Sequence, residues 1–215
     1  MKRITGALLA LTLATPVFAE NTFFGEILLG TMDNDATTST TGTFLDNSFS
    51  DTYSLSLGGS TALGLGGGYH FTGNFAIEAG YRINEEANYS DIDDLGDTIN
   101  GSAESTTLQL GIRAALPLSD AFSLNAKLGF ANWDLDIEST NSSALGETFR
   151  ESESGNDLYY GIGIEYAFNK KFSIGLEYSA ITMEWKENET NEFVNYTQEI
   201  EYEVSGFSLL GRMYF

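Results

Sequence analysis

Residues 158 to 178 read LYYGIGIEYAFNKKFSIGLEY. From Leu158 the even positions are Leu158, Tyr160, Ile162, Ile164, Tyr166 and Phe168, and between them stand Tyr159, Gly161, Gly163, Glu165 and Ala167. After Asn169-Lys170-Lys171 the alternation resumes, with Phe172, Ile174, Leu176 and Tyr178 set against Ser173, Gly175 and Glu177. A period of two sends successive side chains to opposite faces of a strand, so the stretch reads as two strands. The short break between them reads as an antiparallel hairpin. One face is apolar with aromatic ends, and the other holds small residues and a carboxylate. In a soluble sheet the apolar face covers a core. In a transmembrane barrel it meets lipid, and the small face lines the lumen. The hairpin alone leaves both readings open.

The same plan recurs twice upstream. In the first copy Leu63, Leu65, Tyr69 and Phe71 lead into Thr72-Gly73-Asn74, and Phe75, Ile77, Ala79, Tyr81 and Ile83 return. The opposite face is Gly64, Gly66, Gly68 and His70, then Ala76, Glu78, Gly80 and Arg82. In the second copy Leu108, Leu110, Ile112, Ala114, Leu116 and Leu118 run to Ser119-Asp120-Ala121, and Phe122, Leu124, Ala126, Leu128 and Phe130 return. Here Gln109, Gly111, Arg113, Asn125, Lys127 and Gly129 take the other face, and Pro117 sits beside the turn, where one lost ladder donor is tolerable. A first strand over Thr22 to Met32 and a last one over about Glu201 to Phe215 bring the total to eight.

Between the hairpins lie segments rich in Ser, Thr, Asp and Glu: Asp33–Ser60, Asn84–Ser105, Ser139–Asn156 and Glu187–Thr197. These read as long polar loops, with a hint of strand at Tyr53, Leu55 and Leu57. Short turns on one side and long loops on the other are the pattern of an all-β, antiparallel up-and-down transmembrane barrel. The apolar faces are about 9–11 residues long, enough for a tilted strand to cross a bilayer. Tyr69, Phe71, Phe75, Phe122, Tyr166, Phe168, Phe172 and Phe215 gather at the short-turn end, as an interfacial girdle would. Phe130, Trp133, Trp185 and Tyr202 are the candidates for a second girdle.

The first twenty residues, MKRITGALLALTLATPVFAE, give a basic start at Lys2 and Arg3, an apolar run, and the small residues Val17 and Ala19 before a cut. Residues 1–19 are therefore expected to be a cleaved signal peptide and residues 20–215 the barrel domain. Losing Lys2 and Arg3 moves the formal charge from −21 to −23, which argues against nucleic acid as a partner. The absence of cysteine leaves backbone pairing and packing to hold an exported fold. No cofactor motif is found. No apolar run after residue 20 has the length of a spanning helix, so a membrane form has to be a closed barrel.

The glycine-rich face decides between lipid and water outside. Solvated faces usually carry Lys, Thr and Glu, and consecutive glycines weaken a strand to no benefit there. Inside a narrow barrel small residues are required. The inward ionisable residues are then Glu26, Glu78, Glu165 and Glu177 with Arg82, Arg113, Lys127 and Arg212. Buried charges persist only when paired, so an ion-pair network filling the lumen is expected.

With the signal peptide, the repeated GIGIEYAFNKKFSIGLEY-type hairpins and the terminal Phe215 in view, the chain resembles the small eight-stranded outer-membrane β-barrel family of Gram-negative bacteria. This is the OmpA-type transmembrane domain with its OmpX-like relatives. The resemblance implies location in the outer membrane and contact with bilayer and lipopolysaccharide. It also implies that Phe215 is an assembly signal read by the outer-membrane insertion machinery. Larger members add a periplasmic peptidoglycan-binding domain. The chain ends at Phe215 before any such domain, so wall anchoring of that kind is not expected.

Three functional classes follow. A structural or surface-interaction barrel with a closed lumen is the reading taken; the long loops would then meet an extracellular ligand or divalent cations bridging to lipopolysaccharide. A porin-like small-solute pore conflicts with the narrow interior of eight strands. A lipid A-modifying enzyme would need a Ser–His–acid arrangement. His70, the sole histidine, stands beside a short turn, opposite the leaflet that holds lipid A. No catalytic residues are assigned. Asp91, Asp93, Asp94 and Asp97 carry oxygen ligands but do not fit an EF-hand loop, so no metal site is assigned either.

Overall fold

The computed structural model describes residues 22–45, 47–92, 96, 98–141, 148–190 and 194–215. The expected leader lies outside them. The described residues form eight antiparallel strands: β1 (Thr22–Phe44), β2 (Asn47–His70), β3 (Phe75–Ile92), β4 (Thr98–Pro117), β5 (Phe122–Asn141), β6 (Thr148–Ala167), β7 (Phe172–Thr190) and β8 (Val194–Tyr214). Each pairs with its sequence neighbours, and β1 pairs with β8 from Phe24↔Tyr214 to Phe44↔Val194, closing a barrel. The terminal residue joins the seam, with Phe215 N–H donating to Phe23 O at 2.9 Å.

The short turns span four residues, one more than the alternation suggested: Phe71–Asn74, Leu118–Ala121 and Phe168–Lys171. All three share one device. A polar side chain three positions before the next strand accepts from that strand's first N–H: Thr72 Oγ1 from Phe75 at 2.9 Å, Ser119 Oγ from Phe122 at 3.1 Å and Asn169 Oδ1 from Phe172 at 3.1 Å. Ser, Thr and Asn favour such turns because their side chains replace a backbone partner.

Within the hairpins the outer face carries Ile27, Leu29, Leu65, Leu110, Leu128, Ile162, Ile164 and Leu209, each at least half exposed. Glycines and charged residues turn inward. At the short-turn end, Phe23 packs tilted against Tyr69 (ring centroids 4.7 Å apart) and Phe122 against Tyr166 (4.8 Å), an aromatic collar on the outer surface.

The long side differs from the sequence expectation. Among the described residues the segments read as loops are strand: β1 runs on to Phe44 and β2 starts at Asn47, β3 reaches Ile92 and β4 starts at Thr98, β5 reaches Asn141 and β6 starts at Thr148, and β7 reaches Thr190 and β8 starts at Val194. β-Branched Thr and alternating carboxylates satisfy a sheet that meets water, and polarity alone does not mark a loop. Strands of 18–24 residues exceed the length a bilayer needs, so roughly half of each rises above it.

In that upper half the polarity of the wall reverses. Asp33, Asp35, Glu104, Asp134, Asp136, Glu184, Glu201 and Glu203 face outward and are exposed. Met32, Leu57, Trp133, Leu135, Ile181, Met183, Tyr202 and Val204 turn inward as one apolar core. Trp133 and Tyr202, expected in a second outer girdle, lie inside this core, with Trp185 packed against it (Trp133–Trp185 centroids 6.3 Å apart). The reason is one of phase. On β5 the apolar residue is even-numbered through Phe130 and odd-numbered from Trp133, so water replaces lipid outside at that point. Of the second-girdle candidates, Phe130 stays on the outer face.

The ladder also opens above the bilayer. β2 and β3 pair only from His70↔Ala76 up to Ala62↔Asn84, and β6 and β7 only from Ala167↔Ser173 up to Tyr159↔Ile181. Just above the first limit both strands are bulged, at Gly58 (φ +81°, a left-handed conformation that glycine adopts without a Cβ clash) and between Asn84 and Ala87. The upper half is thus two four-stranded sheets, β7-β8-β1-β2 and β3-β4-β5-β6, meeting over a shared core.

Candidate functional site

The eight ionisable residues assigned to the lumen arise from strand parity: each stands on the small-residue face, and the ladder stacks them in a layer. Glu165 on β6 is the hub. It pairs with Arg113 of β4 and, at 2.5 Å, with Arg212 Nη1 of β8. It also accepts from Asn125 Nδ2 at 3.1 Å, and from Ser173 Oγ and Tyr214 Oη at 2.5 Å each. Arg212 reaches further, to Glu26 of β1. Lys127 and Glu177 form a second pair at 2.7 Å. Arg82 donates to Ser179 Oγ at 3.0 Å, and Glu78 accepts a long bond from Tyr159 Oη at 3.4 Å. The first four acids and bases to meet are therefore bound through Glu165 and Arg212, while Arg82 and Glu78 find hydroxyl partners.

Space for these side chains comes from glycine. A Cβ on Gly129 would lie 2.6 Å from the Tyr159 ring and one on Gly111 2.5 Å from its hydroxyl, so the tyrosine lies flat across bare backbone. Beneath the charge layer, Phe24, His70 and Tyr214 close the short-turn end, His70 standing 5.4 Å from Phe24 and 6.1 Å from Tyr214 by ring centroids. His70 is fully buried in this aromatic floor. Above the layer lies the apolar core. The lumen is thus filled in three tiers: aromatic, ionic and apolar. A remaining cavity of about 30 Å³, bounded by Glu26, Gly64, Arg82 and Tyr159, has room for about one water molecule.

Sequence reasoning missed the upper interior. Trp133 Nε1 donates to Asp157 Oδ2 at 2.7 Å, and the same oxygen accepts from Glu184 N at 3.2 Å, bridging β6 and β7 where their ladder has ended. Asn34 holds Ser60 Oγ at 3.0 Å and receives Tyr202 Oη at 3.0 Å. The signal was present in Asn132-Trp133-Asp134-Leu135-Asp136-Ile137-Glu138, a clean alternation in reversed phase. Of the Asp91–Asp97 run, Asp93, Asp94 and Asp97 lie outside the described residues.

At the open edge between β6 and β7 the structure gathers Glu151, Glu153 and Glu187, their carboxylate oxygens within 4.8 Å of one another. Desolvation of the carboxyl, together with its hydrogen bond to Glu187, holds Glu151 above the ordinary carboxylate range. The neighbouring bases are engaged elsewhere, Arg150 with Glu138 at 2.8 Å and Lys186 with Glu199 at 2.6 Å. A carboxyl whose folded pKa is raised favours the folded arrangement below its unfolded pKa, and that gain is lost as pH rises through the folded value. Hydrogen exchange is therefore expected to show every amide of residues 160–167 protected. Above Tyr159 only alternate β6 amides should be, those aimed at β5. After correction for intrinsic rates, the unprotected set should slow on acidification, and Glu187→Gln should remove that response. Uniform protection along β6 would show that the seam is closed.

Residues 5–206 match the family described as outer membrane protein beta-barrel domain. Over 118 residues, 54% of this chain, the sequence is 28% identical to Outer membrane protein A of Shigella flexneri. The match covers 32% of that protein, so the chain spans about a third of the relative's length. Among solved structures, the outer membrane protein OprG from Pseudomonas aeruginosa is similar with a TM-score of 0.58 and 13% identity, over 90% of this chain and 97% of that one. At that identity the likeness is one of fold.

Proposed function

Because the chain belongs to the outer membrane protein beta-barrel domain family, and so is an integral β-barrel protein of the cell outer membrane, we propose that it acts as a closed barrel with a structural or surface-interaction role. The observation that carries this reading is Glu165, with two arginines and three neutral donors converging on its carboxylate across the lumen. A diffusion path needs a continuous column of water, and a gap of about 30 Å³ among the ionic side chains Glu26, Glu78, Arg82 and Lys127 does not supply one. Opening it would separate buried pairs, each costing several kcal/mol, on the order of the penalty for stranding an ion in a low-dielectric interior. Purified protein in planar bilayers is expected to show no large, steady conductance; a sustained open level would overturn the closed-lumen reading.

An enzymatic role has less support. His70 is walled by Phe24 and Tyr214 at the end away from the lipid A leaflet, with no exposure to a substrate. Surface interaction is supported by the upper half. The unzipped margins of β2, β3, β6 and β7 present backbone donors and acceptors that a ladder has not used, and extended segments of other molecules pair with such edges. A rigid sheet holding those margins above the bilayer suits recognition better than flexible loops of equal length.

A further inference from the structure

The lipid-facing wall is dented where β8 meets β1. In that ladder Gly211 stands opposite Ile27 and Gly25 opposite Met213, so two outward positions lack side chains. The result is an apolar groove of about 1230 Å³ running over Gly25, Ile27, Leu209 and Gly211, with Phe168 and Phe172 at its margin. Those two phenylalanines flank the β6–β7 turn, which holds Lys170 and Lys171, both exposed.

The placement of these lysines is distinctive. Apart from Lys2 and Arg3 in the expected leader, the other basic residues are committed: Arg82, Arg113, Lys127 and Arg212 in the lumen, Arg150 and Lys186 in ion pairs of the upper half. The other short turns, Thr72-Gly73-Asn74 and Ser119-Asp120-Ala121, contain no base. In so acidic a chain, two cations therefore stand together at the one short turn that borders the groove. An apolar trough at bilayer depth, ending in positive charge at the interface, matches a lipid with an anionic head.

We propose that Lys170, Lys171 and the Gly25–Gly211 groove form a binding site for one anionic glycerophospholipid of the periplasmic leaflet. An acyl chain lies over the two glycines and the phosphate meets the ammonium groups. Lipopolysaccharide is the wrong occupant, because it fills the opposite leaflet and there the outward wall is acidic. The attraction of one surface lysine for an anionic head is enough that two give a preference of about thirtyfold.

Native mass spectrometry in mild detergent tests this, using equimolar phosphatidylglycerol and phosphatidylethanolamine with identical chains. The wild-type protein is expected to retain phosphatidylglycerol about thirtyfold over phosphatidylethanolamine. Lys170→Gln/Lys171→Gln should bring the ratio near one. These substitutions leave the turn's backbone bonds, Lys171 O to Tyr214 N among them, in place. Gly25→Leu should lower occupancy by both lipids at an unchanged ratio; the nearest atom to its Cβ is Phe215 Cε2 at 3.9 Å, so the side chain enters the groove without a clash. A wild-type ratio near one, a ratio unmoved by the lysine substitutions, full occupancy in Gly25→Leu, or displacement of phosphatidylglycerol by equimolar lipid A would each overturn the assignment.

Discussion

Glu165→Leu is expected to destabilise the folded barrel by about 3–5 kcal/mol, the range seen when one partner of a buried ion pair is removed. The carboxylate receives five donors, and its loss takes from Arg113, whose side chain is 1% exposed, the carboxylate it pairs with. Arg212 suffers less, because it keeps Glu26. That asymmetry gives a sharper expectation for the double variant. Arg113→Met/Glu165→Leu removes both ends of this buried ion pair while leaving Arg212–Glu26 intact, and should recover most of the loss. Replacing whole buried pairs by apolar side chains is often neutral or favourable. Urea titrations followed by heat-modifiable migration on gels measure both. If the single and double variants are equally unstable, Glu165 matters for packing and not for charge.

The second large effect lies above the membrane. Trp133→Ala is expected to cost about 3–5 kcal/mol, as for other buried aromatics truncated to alanine, but the loss should be local. Trp133 is fully buried, leans on Trp185, covers Gly155 across the β5–β6 ladder and anchors Asp157 at the open seam. None of these contacts reaches the ionic tier. Protease sensitivity and fast exchange should therefore appear in the upper sheets, with the heat-modifiable barrel retained. Trp133→Phe, which keeps the ring packing and removes the donor, should cost only about 1 kcal/mol, the net worth of one hydrogen bond. Loss of the entire barrel in Trp133→Ala would mean that the two halves fold as one unit.

How far the residues announced these features depends on which solvent each strand meets. Lipid outside imposes a continuous apolar face, so the parity of Leu158–Phe168 and Phe172–Tyr178 is legible in the residues, and lumen positions such as Glu165 and Arg113 follow from it. The turns were legible because Thr72, Ser119 and Asn169 are turn formers at matching positions. Above the bilayer the outer face is polar and the inner one apolar. A reading tuned to one phase then sees Ser139–Asn156 or Asp33–Ser60 as featureless, although the described residues of both pair in ladders. The outer-girdle reading of Trp133 and Tyr202 fails for the same reason: interfacial aromatics and core aromatics differ only in parity. Pair partners within the lumen were beyond reach, since the ring order of eight strands, not their sequence, brings Arg113 of β4 and Arg212 of β8 to one carboxylate on β6. The unzipped seams left only the bulge glycine, Gly58, as a trace.

The arrangement rests on which face of each strand touches hydrocarbon, and quenching of tryptophan fluorescence by brominated acyl chains reads that contact directly. Leu128 faces outward on β5 and is 58% exposed, whereas Trp133, five residues on, is 0% exposed inside the upper core. In a Trp133→Phe/Trp185→Phe background, Leu128→Trp should be strongly quenched in brominated bilayers, and the wild-type protein, with its two native tryptophans, should be nearly unaffected. Strong quenching of the native tryptophans with an unquenched Leu128→Trp would place the apolar side chains inside the cylinder and contradict the account.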